Sequence, residues 1–148
     1  MAALLASLAV ALVASGAGSC TDDVPPRVVD VTPPPTAGAA TQRFCSALDE
    51  ALPGSLGELD RRRTSSAAVA AWGDPPVVLR CGVPPVQRPP GDTRRVELAG
   101  VGWYPEEVDG AVRWTTLDLP VAVEVLVPDG YEGQVLIGLS PALRAAPS

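Results

Sequence analysis

The sequence predicts a small α+β domain: an antiparallel sheet of about four to five strands with a helix at its N-terminal end and another at its C-terminal end. Three observations predict this fold. Short segments alternate apolar with polar residues, Pro-Gly and Asp-Gly pairs separate them, and two segments with helical spacing lie at the two ends. A chain of 148 residues has room for one such domain, and its 47% of hydrophobic residues can form a core.

Residues 41–52 are predicted to form the first helix. Its apolar residues recur on one face, at Phe44, Cys45, Leu48 and Leu52. A Pro-Gly pair directly afterwards ends it. Residues 55–66 contain three consecutive arginines beside acidic residues and are interpreted as solvated surface, and residues 67–72 as one helical turn.

Residues 77–83 alternate valine, leucine and cysteine on one face with more varied residues on the other, which is typical of a half-buried strand. Proline pairs on both sides fix its limits, because proline lacks the amide that a ladder needs. Further strands are predicted over residues 96–104, 111–117 and 121–127, and residues 135–143 are predicted to form the second helix.

The residues around the central strand allow two interpretations. In the first, Trp72 is a core residue, Asp74 forms a turn with the glycine and proline beside it, and Arg80 is a surface or paired charge. In the second, Trp72, Asp74 and Arg80 line a binding surface. Tryptophan and arginine are common at binding surfaces, which keeps the second interpretation open.

Residues 1–17 are almost entirely alanine, leucine and valine, without a charged side chain, and are followed by Gly18-Ser19-Cys20. Such a run predicts an export signal. The small residues before Cys20 resemble a lipobox, in which the cysteine is lipidated and becomes the first mature residue. Plain secretion or an uncleaved anchor are the alternatives, since Ala17 stands where leucine is usual. The predicted division is a signal peptide over 1–19, the lipidated cysteine with a proline-rich tether over 20–42, and the globular domain over 43–148.

If Cys20 is acylated, Cys45 and Cys81 remain as an even pair. In an exported protein such a pair predicts a disulfide, here between the first helix and the central strand. Two buried free thiols are the alternative.

Composition excludes several functions. The net charge of −6 argues against nucleic acid as a partner. The chain has no histidine, the usual general base and commonest metal ligand, and we expect no metal and no cofactor. Two functional hypotheses remain. One is a non-catalytic binding module, in which Trp72, Trp103 and Trp114 form the core or contact a partner. The other is a carboxylate-dependent enzyme such as a glycan hydrolase, with candidate acids Glu106, Glu107, Asp109 and Glu124.

Several segments together carry a family resemblance: FCSALDEALP, AAWGDPPVVLRCGVP, VGWYPEE, RWTTLDLPVAVEVLVP and LIGLSPAL. Over about residues 44–146 the chain resembles a family of actinobacterial lipoproteins or secreted proteins, the domain of unknown function with serial thirty-five fifteen. The resemblance implies a signal that ends in a cysteine, here Cys20, and a setting in the cell envelope. With Cys20 lipidated, the domain is expected at the outer face of the cell membrane. A protein of the envelope or a cell-wall glycan would be the partner. The resemblance implies no catalytic residue.

Overall fold

Two helices lie against one face of an eight-stranded antiparallel sheet in the computed structural model, which describes residues 28–35, 38–131 and 133–147. The elements are α1 (Ala39–Ala51), β1 (Ser55–Leu56), β2 (Leu59–Arg62), β3 (Val69–Trp72), β4 (Val77–Cys81), β5 (Val96–Leu98), β6 (Val101–Val108), β7 (Ala111–Thr116), β8 (Val123–Pro128) and α2 (Gln134–Ala145). The α+β class, the two helices and the antiparallel sheet are confirmed. The predicted count of four to five strands is wrong.

The sheet consists of two meanders that meet at its centre. Its strand order is β1-β2-β3-β4-β8-β7-β6-β5, so β1 to β4 form one meander and β5 to β8 the other. Strands β4 and β8 join them in antiparallel register, with Arg80 opposite Glu124 and Cys81 opposite Val123. The last strand of the chain therefore completes the middle of the sheet.

The strands that the sequence does not predict escape prediction for separate reasons. Strand β3 has four consecutive buried residues because both faces of the sheet are covered there, so its sequence shows no alternation. The sequence predicts a helical turn there, and this prediction is wrong. Strands β1 and β2 form a short hairpin, and its polar side chains give no strand pattern. Strands β5 and β6 were predicted as one strand, but Ala99 and Gly100, with φ of 47° and 80°, turn the chain between them.

The helices cover one face of the sheet, here called the helix face. Phe44, Cys45 and Leu48 of α1 are buried against it. Leu136, Leu139 and Leu143 of α2 are fully buried, at the spacing that predicted this helix. Apolar side chains of the strands pack against these helix residues, among them Trp72, Trp103, Leu79, Val123 and Val125. None of the described helices is long and apolar enough to cross a membrane.

The other face, here called the open face, carries no helix among the described residues. Part of it is covered by the segment ahead of α1. Val29 and Val31 pack on a small cluster formed by Val69, Ala71 and Val78. Val29 also forms an isolated parallel bridge with Thr64. This part of the predicted tether is therefore docked on the sheet, through a single bridge and the packing of two valines.

Candidate functional site

The predicted disulfide is confirmed. Cys45 on the buried face of α1 is bonded to Cys81 at the end of β4, and their α-carbons lie 5.7 Å apart. It joins a helix to the strand at the centre of the sheet. Cys20, the predicted lipidation site, lies outside the described residues.

The structure does not bring Trp72, Asp74 and Arg80 together. Trp72 is fully buried on the helix face, and its indole N–H donates to the carbonyl oxygen of Pro53 at 3.0 Å. Asp74 is exposed in the turn between β3 and β4. Arg80 lies on the open face, because its side chain alternates with those of Leu79 and Cys81. The sheet therefore separates Trp72 from Arg80.

A row of charged side chains crosses the open face. Nη1 of Arg80 lies 3.2 Å from Oε1 of Glu124, and Nε of Arg113 lies 3.4 Å from Oε2 of the same carboxylate. Arg113 also approaches Glu106, at 4.0 Å. Two of the candidate acids, Glu106 and Glu124, thus lie on either side of one guanidinium. Of the other two, Glu107 belongs to the opposite face of β6, and Asp109 is exposed in the hairpin turn.

Asp92, Arg94 and Tyr104 form a cluster that the sequence did not indicate, here called the tyrosine clasp. Tyr104 is 2% exposed, and its hydroxyl donates to Oδ2 of Asp92 at 2.5 Å. Nη2 of Arg94 donates to the same oxygen at 2.6 Å, and its guanidinium lies 4.6 Å from the centre of the Tyr104 ring. The clasp fastens the connection between β4 and β5 onto the sheet.

The clasp shifts two ionisation equilibria. Hydrogen bonds from Arg94 and then from Tyr104 hold the pKa of Asp92 well below its ordinary value of 3.8. The hydrogen bond to Asp92 raises the pKa of Tyr104. The carboxylate and the neutral phenol are therefore the forms that the fold stabilises.

The depressed pKa of Asp92 predicts how stability depends on acid. The ionised carboxylate of Asp92 contributes to the free energy of unfolding above its unfolded-state pKa, near pH 4. This contribution is lost as the pH falls toward the lower folded-state pKa. Urea titrations between about pH 5 and pH 2 should show the free energy of unfolding falling less steeply in Asp92→Asn than in the wild type. Asp118→Asn is the matched control. Arg95 likewise lowers the pKa of Asp118, but the Asp118 side chain is 58% exposed, so solvent screens the pair and the slope should change less. Equal slopes in Asp92→Asn and the wild type would contradict the prediction.

A cavity of about 560 Å³ lies at the hairpin of β6 and β7. This hairpin pocket is lined by Arg94, Pro105, Glu106, Glu107, Val112 and Trp114. Two cross-strand pairs contribute four of these residues, with Pro105 opposite Trp114 and Glu107 opposite Val112. The side chains of an opposite pair project from the same face of a sheet, so these four are direct neighbours.

Trp114, which lines the hairpin pocket, differs from the other two tryptophans in its burial. Trp72 and Trp103 are fully buried, whereas Trp114 is only partly buried against the core. Glu107 is exposed and has no ion-pair partner in the described part of the chain. A smaller groove of about 390 Å³ runs beside the disulfide, between Pro33, Pro34 and Pro35 and the first turns of α1. No group of three metal-ligating side chains occurs among the described residues.

The fold and these features define a disulfide-bonded α+β domain with a small surface pocket that contains a tryptophan and an unpaired carboxylate. Residues 3–148 match the model of the family described as protein of unknown function DUF3515. The chain belongs to this family, as the resemblance indicated. No curated protein and no solved structure shows a significant match to it.

Proposed function

We propose that this protein is a lipid-anchored protein of an actinobacterial cell envelope and that its folded domain is a non-catalytic binding module. The observation that carries the proposal is the bond between Cys45 and Cys81. Structural disulfides persist in oxidising compartments and are rare in the cytoplasm. The bond therefore supports export, which is also what the apolar run before Cys20 predicts.

The anchor is proposed from the sequence around Cys20. A diacylglycerol group on this cysteine would hold the domain at the outer face of the cell membrane, and the residues between Cys20 and the docked valines would link the domain to the lipid. The acidic balance of the chain does not favour adsorption to an anionic membrane surface. We therefore assign membrane attachment to the lipid, and we expect an envelope protein or a cell-wall glycan as the partner.

The geometry of the carboxylates supports binding over hydrolysis. Glycan hydrolases use one protonated and one ionised carboxyl group on either side of the bond that they cleave. Here Arg113 lies between Glu106 and Glu124, 4.0 Å from the first and 3.4 Å from the second. Its guanidinium therefore lies between these two acids and is ion-paired with both of them. We assign this row of charges to the stability of the open face.

Lipidation gives a direct test of the anchor. In a bacterial host that processes lipoproteins, the wild-type protein should incorporate labelled palmitate and sediment with the membrane fraction. Cys20→Ala should abolish the label and release the protein, because Cys20 supplies the acylated thiol.

The double variant Cys45→Ala with Cys81→Ala is the matched control. It removes the other two cysteines and should retain the label in whatever protein accumulates. Label that persists in Cys20→Ala, or membrane sedimentation without label, would refute the proposed anchor.

A further inference from the structure

We infer that the hairpin pocket binds an organic cation, namely a primary ammonium or guanidinium group at the end of an apolar stem. The inference rests on the proposed binding function and gives it a ligand class. It follows from the shape of the pocket, from Trp114, from the open edge of β6 and from the balance of charge around the pocket.

The pocket has the size and lining of a small-molecule site. Its volume of about 560 Å³ lies within the range of about 300–1,000 Å³ that is usual for such sites. Pro105, Val112 and Trp114 supply an apolar floor, and charged groups occupy the rim. An apolar stem can therefore be buried while a polar group at its end meets the rim.

Trp114 is the residue best suited to receive a cation. The face of an indole ring attracts cations more strongly than a tyrosine or phenylalanine ring does. Trp114 is partly exposed where it lines the cavity, whereas Trp72 and Trp103 are enclosed by the core. A cation in the pocket would thus lie beside an aromatic ring that the fold leaves partly exposed.

Strand β6 presents an open edge beside the pocket. Strand β5 pairs with β6 only from Val101 to Trp103, so the edge from Tyr104 onward has no strand partner among the described residues. Side chains from both faces of β6 reach this edge, which explains how the successive residues Glu106 and Glu107 line one cavity. Pro105 cannot donate to the ladder, and its nitrogen and carbonyl both point away from β7. At this point the edge of β6 offers the carbonyl oxygen of Pro105 as a hydrogen-bond acceptor, and Pro105 has no N–H to donate.

The charges at the rim favour a cation over an anion. Arg94 is the one basic lining residue, and Asp92 and Tyr104 of the tyrosine clasp hold its guanidinium. Glu106 has a partner only at 4.0 Å, and Glu107 has none in the described chain. The unmatched charge of the pocket is therefore negative, in a protein whose net charge is −6. Phosphate and carboxylate groups would be repelled.

The test is calorimetric titration of the purified full-length chain with N-acetyl-lysinamide, with N-acetyl-norleucinamide as its uncharged counterpart and with inorganic phosphate. We expect a dissociation constant in the range of about 1 mM for the lysine probe and at least about fivefold weaker binding of the uncharged probe. Phosphate should give no heat of binding. Equal binding of the charged and uncharged probes, or measurable binding of phosphate, would overturn the inference.

Variants assign the binding to the pocket. Glu107→Gln and Trp114→Ala should each weaken binding of the lysine probe by about fivefold or more, and Trp114→Phe should keep part of the affinity. Glu58→Gln is the matched control, because it removes the same charge from an exposed position in the turn between β1 and β2, and it should bind like the wild type. Circular dichroism confirms that each variant is folded. Unchanged affinity in folded Glu107→Gln would overturn the inference.

The same titration distinguishes the source of the cation. A tetralysine peptide that binds at least about tenfold more tightly than the single lysine probe would identify a basic segment of a partner protein, while equal affinities would identify a free amine. Either result supports the pocket. The titration does not depend on Cys20, so a failed palmitate experiment leaves it intact, and a failed titration leaves the anchor intact.

Discussion

Removal of the disulfide, by Cys45→Ala together with Cys81→Ala, is expected to lower the free energy of unfolding by about 4 kcal/mol. The two cysteines are 36 residues apart, and closing a loop of that length restricts the unfolded chain by about this amount in the chain-entropy model. For a domain of this size the melting temperature should fall by about 15–20 °C. Thermal and urea unfolding followed by circular dichroism measure both quantities.

The control is Cys20→Ala, which also removes a cysteine but lies ahead of the described residues and should leave the unfolding of the domain unchanged. Mass spectrometry of a non-reduced digest should recover the peptides of Cys45 and Cys81 as one linked species. A loss below about 1 kcal/mol in the double variant would show that the loop is already restricted in the unfolded state.

Truncation of Trp72 to alanine is expected to lower the free energy of unfolding by about 3–5 kcal/mol, the range for large aromatic residues in a core. Trp72 is fully buried between the sheet and the helices, and its indole N–H donates to Pro53 at the end of α1. The substitution leaves a cavity and also an unpaired carbonyl oxygen. Urea unfolding at neutral pH measures the loss.

Trp114→Ala is the matched control, because it removes the same side chain from a partly exposed position on the same face. Trp114→Ala should lower the free energy of unfolding clearly less than Trp72→Ala does. Should Trp72→Ala not fold, Trp72→Phe keeps most of the volume while removing the indole donor, and it should be destabilised by about 1–2 kcal/mol. An unchanged stability in Trp72→Phe together with an unchanged melting point in Trp72→Ala would mean that Trp72 does not belong to the core.

The sequence predicted the elements whose patterns come from one buried face. Strands β4 and β8 alternate because one face packs under the helices, and the leucines of α2 recur with the helical period. The pairing of Cys45 with Cys81 followed from the number of cysteines once Cys20 was set aside. The strand and helix predictions depended only on neighbours in sequence, and the disulfide depended only on the cysteine count.

The remaining elements and the site depend on distant parts of the chain. Strand β3 is buried on both faces because α1 and the segment around Val29 cover it. The sequence of β3 alone does not indicate which parts of the chain pack on its two faces. Asp92 and Tyr104 meet only because the connection before β5 folds over the sheet. The hairpin pocket lies beside the part of β6 that β5 does not pair, and Trp114, which lines it, is only partly buried.

The bond between Cys45 and Cys81 also determines how the molecule would respond to mechanical tension. A pull on the chain ahead of α1 passes through the disulfide into β4, so residues 46–80 lie outside the covalent route. Strands β1 to β3 and all of β4 except Cys81 therefore carry no tension through the covalent chain. In a domain held by lipid at one end and by a ligand at the β6–β7 hairpin, this half of the sheet would be spared the pull, and the load would pass to the residues after Cys81.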